Sequence, residues 1–107
     1  MEDERTASFA MLVRFTAAPG QRDELAAVLL EAADALSDVS ACMLYLVTVP
    51  DSDDSSVWVT EVWTDRSAHA ASLQQQSARE LIGRAQPLIA VPPDAVQLGI
   101  LGGKRPW

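Results

Sequence analysis

Between Ser8 and Leu101 the apolar residues switch between a period of two and a helical period in one fixed order, and that order leaves few folds open. Phe9, Met11, Val13 and Phe15 interleave with Ala10, Leu12, Arg14 and Thr16, which predicts a strand from Ser8 to Thr16 with the first set facing the core. Ala18-Pro19-Gly20 ends it. From Gln21 to Ser37, Leu25, Val28, Leu29, Ala32 and Leu36 fall on one helical stripe. Asp23 and Glu24 occupy the first turn, at the positive end of the helix dipole. Cys42 to Val49 is a second strand stopped by Pro50. Val57 to Trp63 is a third, with Val57, Val59, Glu61 and Trp63 on one face and Trp58, Thr60 and Val62 on the other. Asp65 is placed to cap a short helix from Arg66 to about Gln74, and Ser77-Ala78-Arg79-Glu80 reads as a capping box opening another. Val96 to Leu101 is the last strand.

The order βαββαβ is that of an α+β, ferredoxin-like sandwich: an antiparallel sheet with its helices on one face. The domain is expected to span 8–102, between a flexible segment at 1–7 and a tail at 103–107. The other sheet face carries Leu12, Arg14, Trp58 and Val62 and has no helix left to cover it. An apolar sheet face of that size rarely stays in water, so a homodimer joined through it, a dimeric α/β barrel, is expected.

Charge and composition remove several function classes. Fifteen acidic residues against 8 basic ones give a net charge of -7, the wrong sign for nucleic acid or an anionic membrane surface. Cys42 is the single cysteine and His69 the single histidine, so a Cys/His zinc site cannot be assembled within one chain and no metal is expected. The run Asp51-Ser52-Asp53-Asp54-Ser55-Ser56 lacks the glycine and the distant glutamate of an EF-hand and reads as a hairpin loop. The glycines never form G-x-G-x-x-G. An acidic amino terminus and the lack of a long apolar run point to a cytoplasmic protein.

Few side chains remain for chemistry. Histidine titrates near neutrality as a residue type, which makes His69 the natural general base. Glu61 is a carboxylate among Val57, Val59 and Trp63, and burial there would raise its pKa. Trp63, on the same strand face, is suited to stack on a planar ligand or to plug the core. Tyr45 offers a phenol, but Leu44 and Leu46 oppose Met43 and Val47 so evenly that its face is undetermined. Ser72, one turn after His69, is placed to hold the imidazole or to face solvent. Cys42 has no neighbouring base and reads as structural.

Four stretches in order resemble the antibiotic biosynthesis monooxygenase (ABM) family of the dimeric α/β-barrel superfamily: Val13 to Leu25, Val59 to Asp65, Ala68 to Leu73 and Arg84 to Ile89. The resemblance implies a cofactor-independent oxygenase that converts a quinol, anthrone or similar phenolic ring to a quinone with O2. With the residue chemistry above, the expected site has catalytic roles for His69, Trp63 and Glu61, and substrate contacts from Tyr45, Ser72, Val13 and Phe15. Trp63 matches the family's strand-three tryptophan, whereas Val13 stands where the family carries an asparagine. Ile82 stands near the position of the axial histidine of the family's haem-degrading relatives. A non-oxidative cyclase or isomerase, or a non-catalytic small-molecule-binding protein, are the alternatives on this scaffold.

Overall fold

The computed structural model describes residues 7–107, and their elements follow the expected order. They are β1 (Phe9–Thr16), α1 (Arg22–Ala35), β2 (Cys42–Thr48), β3 (Ser56–Trp63), α2 (Arg66–Ser72), α3 (Gln76–Ala85), a 3-10 turn (Gln86–Leu88) and β4 (Asp94–Gly99). The strands lie in the order β2-β3-β1-β4, with every neighbouring pair antiparallel. The fold is therefore the ferredoxin-like α+β sandwich. The segment expected to be flexible lies outside the described residues except for Ala7, which is buried.

The β1–β3 register confirms the faces assigned by alternation: Phe9 pairs with Trp63, Met11 with Glu61, Val13 with Val59 and Phe15 with Val57. Val13, Val57 and Val59 pack with Leu25, Val28 and Leu29 of α1 and Ala85 of α3 in the main core. Leu25 and Val57 are fully buried, so the first half of the α1 stripe anchors the helix on the sheet. β2 breaks the simple alternation. Cys42 pairs with Trp63 and Leu44 with Val62, a register shift that inserts Met43 as an extra residue. Met43 and Leu44 thereby join the same cluster on the helix-free side, and Tyr45 turns to the helix side opposite Glu61.

Two boundaries differ from expectation. The helix expected to open at a capping box starts at Gln76, after an N-cap at Gln75 that makes no side-chain cap bond. Ser77 is thus already inside the first turn, and Glu80 accepts a bond from the Gln76 side-chain amide instead, across one helical turn. The last strand begins two residues early, at Asp94, and ends at Gly99, because its register is set by pairing with β1 from Arg14 to Phe9. The predicted cap on α2 is present: Asp65 Oδ1 accepts from the Ala68 N–H at 2.7 Å. Asp65→Ala is expected to cost about 1 kcal/mol, measured by urea unfolding, because one helix-end N–H loses its acceptor.

The expected tail folds back. Gly102 and Gly103 adopt φ values of 156° and 134°, a region closed to residues with a Cβ, and they let the chain turn over the helix-free face. Trp107 and Ile100 pack there against Ala7, Ala10 and Val62. Val62, expected at a dimer interface, is therefore covered by the chain's own terminus at that end of the sheet. Leu46, Val96 and Leu98 on the same face are 44 to 51% exposed. Arg14 lies 6.0 Å from the Trp58 ring centroid, its cross-strand partner.

Candidate active site

The half of the α1 stripe that is not against the sheet borders a cavity of about 730 Å³ between the helices and the sheet. That volume lies within the range of small-molecule sites. Ala32, Leu36 and Val39 line it from the α1 side, Leu81 and Ile82 from α3, and Tyr45, Glu61, Trp63 and Phe15 from the sheet. Its walls contain alanines on α1, α2 and α3 where larger apolar residues would fill the space.

The polar end is built by β3. Because side chains two apart share a strand face, Trp63 stands beside Glu61 and its indole Nε1–H donates to Glu61 Oε1 at 3.0 Å. The helix capped by Asp65 carries His69 over the same end, with Nε2 3.6 Å from Glu61 Oε1. The imidazole is wedged between Trp63 (centroids 5.3 Å apart, ring planes at 72°) and Phe9 (5.5 Å, 52°). Arg66 lies over the Phe9 ring, 4.5 Å from its centroid, and its guanidinium bonds Gln97 of β4.

Burial pushes the Glu61 carboxyl above the usual carboxylate range, and the Trp63 hydrogen bond and neighbouring His69 pull partly the other way. Burial, reinforced by Glu61, raises the Tyr45 phenol and raises the Cys42 thiol to about 11. Both stay protonated at neutral pH. Tyr45 is thus a hydrogen-bonding wall residue, not a base. Cys42 is a half-buried thiol that donates to the Leu44 carbonyl at 3.5 Å.

The seven residues singled out from sequence are placed unequally. Glu61, Trp63, Tyr45, Phe15 and Ser72 line the cavity. His69 is not among the lining residues; it sits beside Glu61, with a side chain 15% exposed. Val13 is buried in the core against Val59 and lies off the cavity. Ser72 does not hold the imidazole: its hydroxyl donates to the backbone carbonyl of His69 at 2.6 Å, which fixes the end of α2. The acidic hairpin is also internally occupied, since Asp53 Oδ1 accepts from the N–H groups of Ser55 and Ser56 at 3.0 and 2.8 Å. Among the described residues no group of three His, Cys, Asp or Glu is placed to hold a metal ion.

The sequence profile described as Antibiotic biosynthesis monooxygenase matches residues 8–84. The chain belongs to the ABM family. Solved structures agree. A protein from Chloroflexus aurantiacus J-10-fl, provisionally named an antibiotic biosynthesis monooxygenase, is 34% identical over 92% of this chain and 97% of its own, with a TM-score of 0.82. A Nitrosomonas europaea protein of unknown function is 26% identical over 96% and 98%, also with a TM-score of 0.82. A Caulobacter crescentus protein, again provisionally named for the family, is 15% identical over 92% and 93% with a TM-score of 0.83, which speaks for the fold alone. No curated protein matches the chain. ABM membership places this chain on a small-molecule, monooxygenase-like scaffold, and among the described residues no helix is long and apolar enough to cross a membrane.

Proposed function

We propose that this ABM protein is a cofactor-independent oxygenase acting on a quinol, an anthrone or a similar phenolic ring. The observation that carries the reading is an ionisable pair, Glu61 with His69 Nε2 3.6 Å from its Oε1, at a predominantly apolar cavity. The carboxylate takes the proton from the acidic benzylic C–H or hydroxyl, and His69 stabilises the carboxylate before transfer and orients it. Trp63 holds Glu61 in place and forms the wall on which a planar ring stacks. The resulting carbanion or phenolate is itself the reductant. It passes an electron to O2, the two radicals combine to a peroxide at the ring carbon, and loss of water leaves the quinone carbonyl. One O2 is consumed per CH2 oxidised, one oxygen atom going to the product and one to water; a hydroquinone, which loses only two hydrogens, gives the quinone and H2O2. An apolar enclosure favours this chemistry by excluding competing water.

The test is oxygen uptake by metal-free, flavin-free protein with anthrones and hydroquinones. A substrate-dependent rate above the autoxidation blank is expected. No uptake by folded protein across the panel overturns the oxygenase reading in favour of a cyclase, an isomerase or a binding role.

The active form is a homodimer joined through the helix-free face, a reading supported by the exposure of Leu46, Val96 and Leu98 there. Leu98→Glu puts a like charge on both sides of such a contact, so it is expected to sediment as a monomer where the parent sediments as a dimer. A variant that remains dimeric would place the interface elsewhere.

A further inference from the structure

We propose that Arg66 is the positioning residue of this site: lying over Phe9 and bonding Gln97, it tethers α2 to the sheet so that His69 stays against Glu61. Only its effect on turnover rests on the oxygenase reading; the tether is independent of the reaction.

The helix that carries His69 has little else to hold it. It is seven residues long and none of them is fully buried, and so short a helix is not stable by itself. The Asp65 cap and the bond from the Ser72 hydroxyl to the His69 carbonyl both close within residues 65–72, and neither crosses to the sheet. Ala68, Ala71 and Ser72 line the cavity, so that side of α2 borders space where a packed helix would meet side chains. Arg66 and His69, three residues apart and so on one helical face, both reach the strands.

The sheet register sets where these footholds fall. Glu61 on β3, Met11 on β1 and Gln97 on β4 are cross-strand partners in one row, and Trp63, Phe9 and Gly99 form another. His69 stands at the β3 end of both rows, 3.6 Å from Glu61 and between Trp63 and Phe9. Arg66 reaches the β4 end, where Gly99 presents no side chain beside the Phe9 ring and Gln97 supplies an acceptor. Neighbouring strands are roughly 4.8 Å apart, so footholds on β3 and β4 are separated by about 10 Å. A short helix held at one point pivots there; two points that far apart fix its angle. The contact of His69 with Glu61 is longer than a hydrogen bond and holds the helix only weakly. Arginine suits the task because its flat fork lies on a ring and donates in its own plane.

The consequence for the site is electrostatic. The titratable groups facing Glu61 are His69 from α2 and Tyr45 and Cys42 from β2. Met11 lies opposite it on β1, and neither α1 nor α3 presents a charged side chain to the cavity. Tyr45 and Cys42 stay protonated at neutral pH, and the Trp63 hydrogen bond lies within β3. Withdrawing His69 therefore removes one influence that lowers the Glu61 carboxyl and leaves burial, which raises it.

Arg66→Met keeps an apolar chain over Phe9 and removes the bond to Gln97. Gln97→Leu removes that bond from the sheet side and decides the matter if Arg66→Met does not fold. The chain has one histidine, so untagged protein gives one set of imidazole NMR signals, displaced by the neighbouring Trp63 and Phe9 rings. In both variants these signals are expected to move toward free-histidine positions. The Glu61 carboxyl 13C titration, assigned against Glu61→Gln, is expected to shift to higher pH. Oxygen uptake on a hydroquinone is expected to fall by up to about a hundredfold, with its rising limb at higher pH. Parental imidazole signals in the folded variants overturn the tether. Moved signals with an unmoved Glu61 titration or undiminished turnover overturn the positioning role. A parent protein without oxygen uptake sinks the oxygenase reading alone, because the two NMR measurements still decide what Arg66 does.

Discussion

Glu61→Gln is expected to stay folded and to lose turnover by about 10²–10⁴-fold, the usual worth of a positioned general base. Glutamine keeps the shape and still accepts from Trp63 Nε1, but it cannot take a proton. The same substitution is expected to raise the thermal midpoint at neutral and alkaline pH. In the folded chain the carboxyl is raised above its ordinary value, first by burial, so folded protein holds the proton more tightly than unfolded chain. Stability therefore falls as pH rises from the ordinary carboxylate value through the raised one, and the cost is complete above it. Below the ordinary value both states are protonated and the carboxyl contributes no such cost. The gain from glutamine should accordingly be present at about pH 8 and gone by about pH 4. Thermal unfolding at both pH values, beside oxygen uptake, checks the pair of effects. A folded Glu61→Gln protein with parental turnover would remove the carboxylate from the chemistry. His69→Ala should lower turnover too, and by less, since His69 acts on the substrate through Glu61.

Trp63→Ala is expected to cost about 3–5 kcal/mol, because a fully buried indole is replaced by a void at the junction of β3 and the His69 stack. Set against a domain stability of about 5–15 kcal/mol, that loss leaves a marginal protein. Trp63→Phe separates packing from hydrogen bonding. It keeps most of the ring and removes the Nε1–H bond to Glu61, one of the two influences that hold the carboxyl down. The Glu61 carboxyl then rises further, and the rising limb of turnover against pH shifts to higher pH. Urea unfolding measures the first effect and a pH–rate profile the second. An unmoved limb in Trp63→Phe would mean that a group other than Glu61 sets it.

The sheet faces were legible because the strand period is two and one face is buried: from Phe9 to Phe15 and from Val57 to Trp63 the apolar sets could point only one way. The same rule placed Glu61 and Trp63 together on the helix side. It left the face of Tyr45 open, because the two sets of β2 side chains are alike in size and polarity and nothing in them announces the inserted Met43 that changes phase within the strand. The start of α3 was misplaced for a related reason: the Ser77–Glu80 spacing satisfies a capping pattern, but the N-cap is Gln75, two residues earlier, and Ser77 falls inside the first turn.

The sequence by itself determined the element order, the sheet's two faces, the Asp65 cap and the family, since each follows from local periodicity, cap chemistry or ordered motifs. Tertiary structure decided which titratable group meets the cavity. Residue type alone pointed to His69; the packing of α2 on β3 brings the imidazole within 3.6 Å of the carboxylate and leaves Glu61 in the wall. It also decided that Val13 is core and that Trp107 folds onto the sheet. These are outcomes of packing between segments distant in sequence, and a local pattern carries no record of which side chain reaches a shared space first.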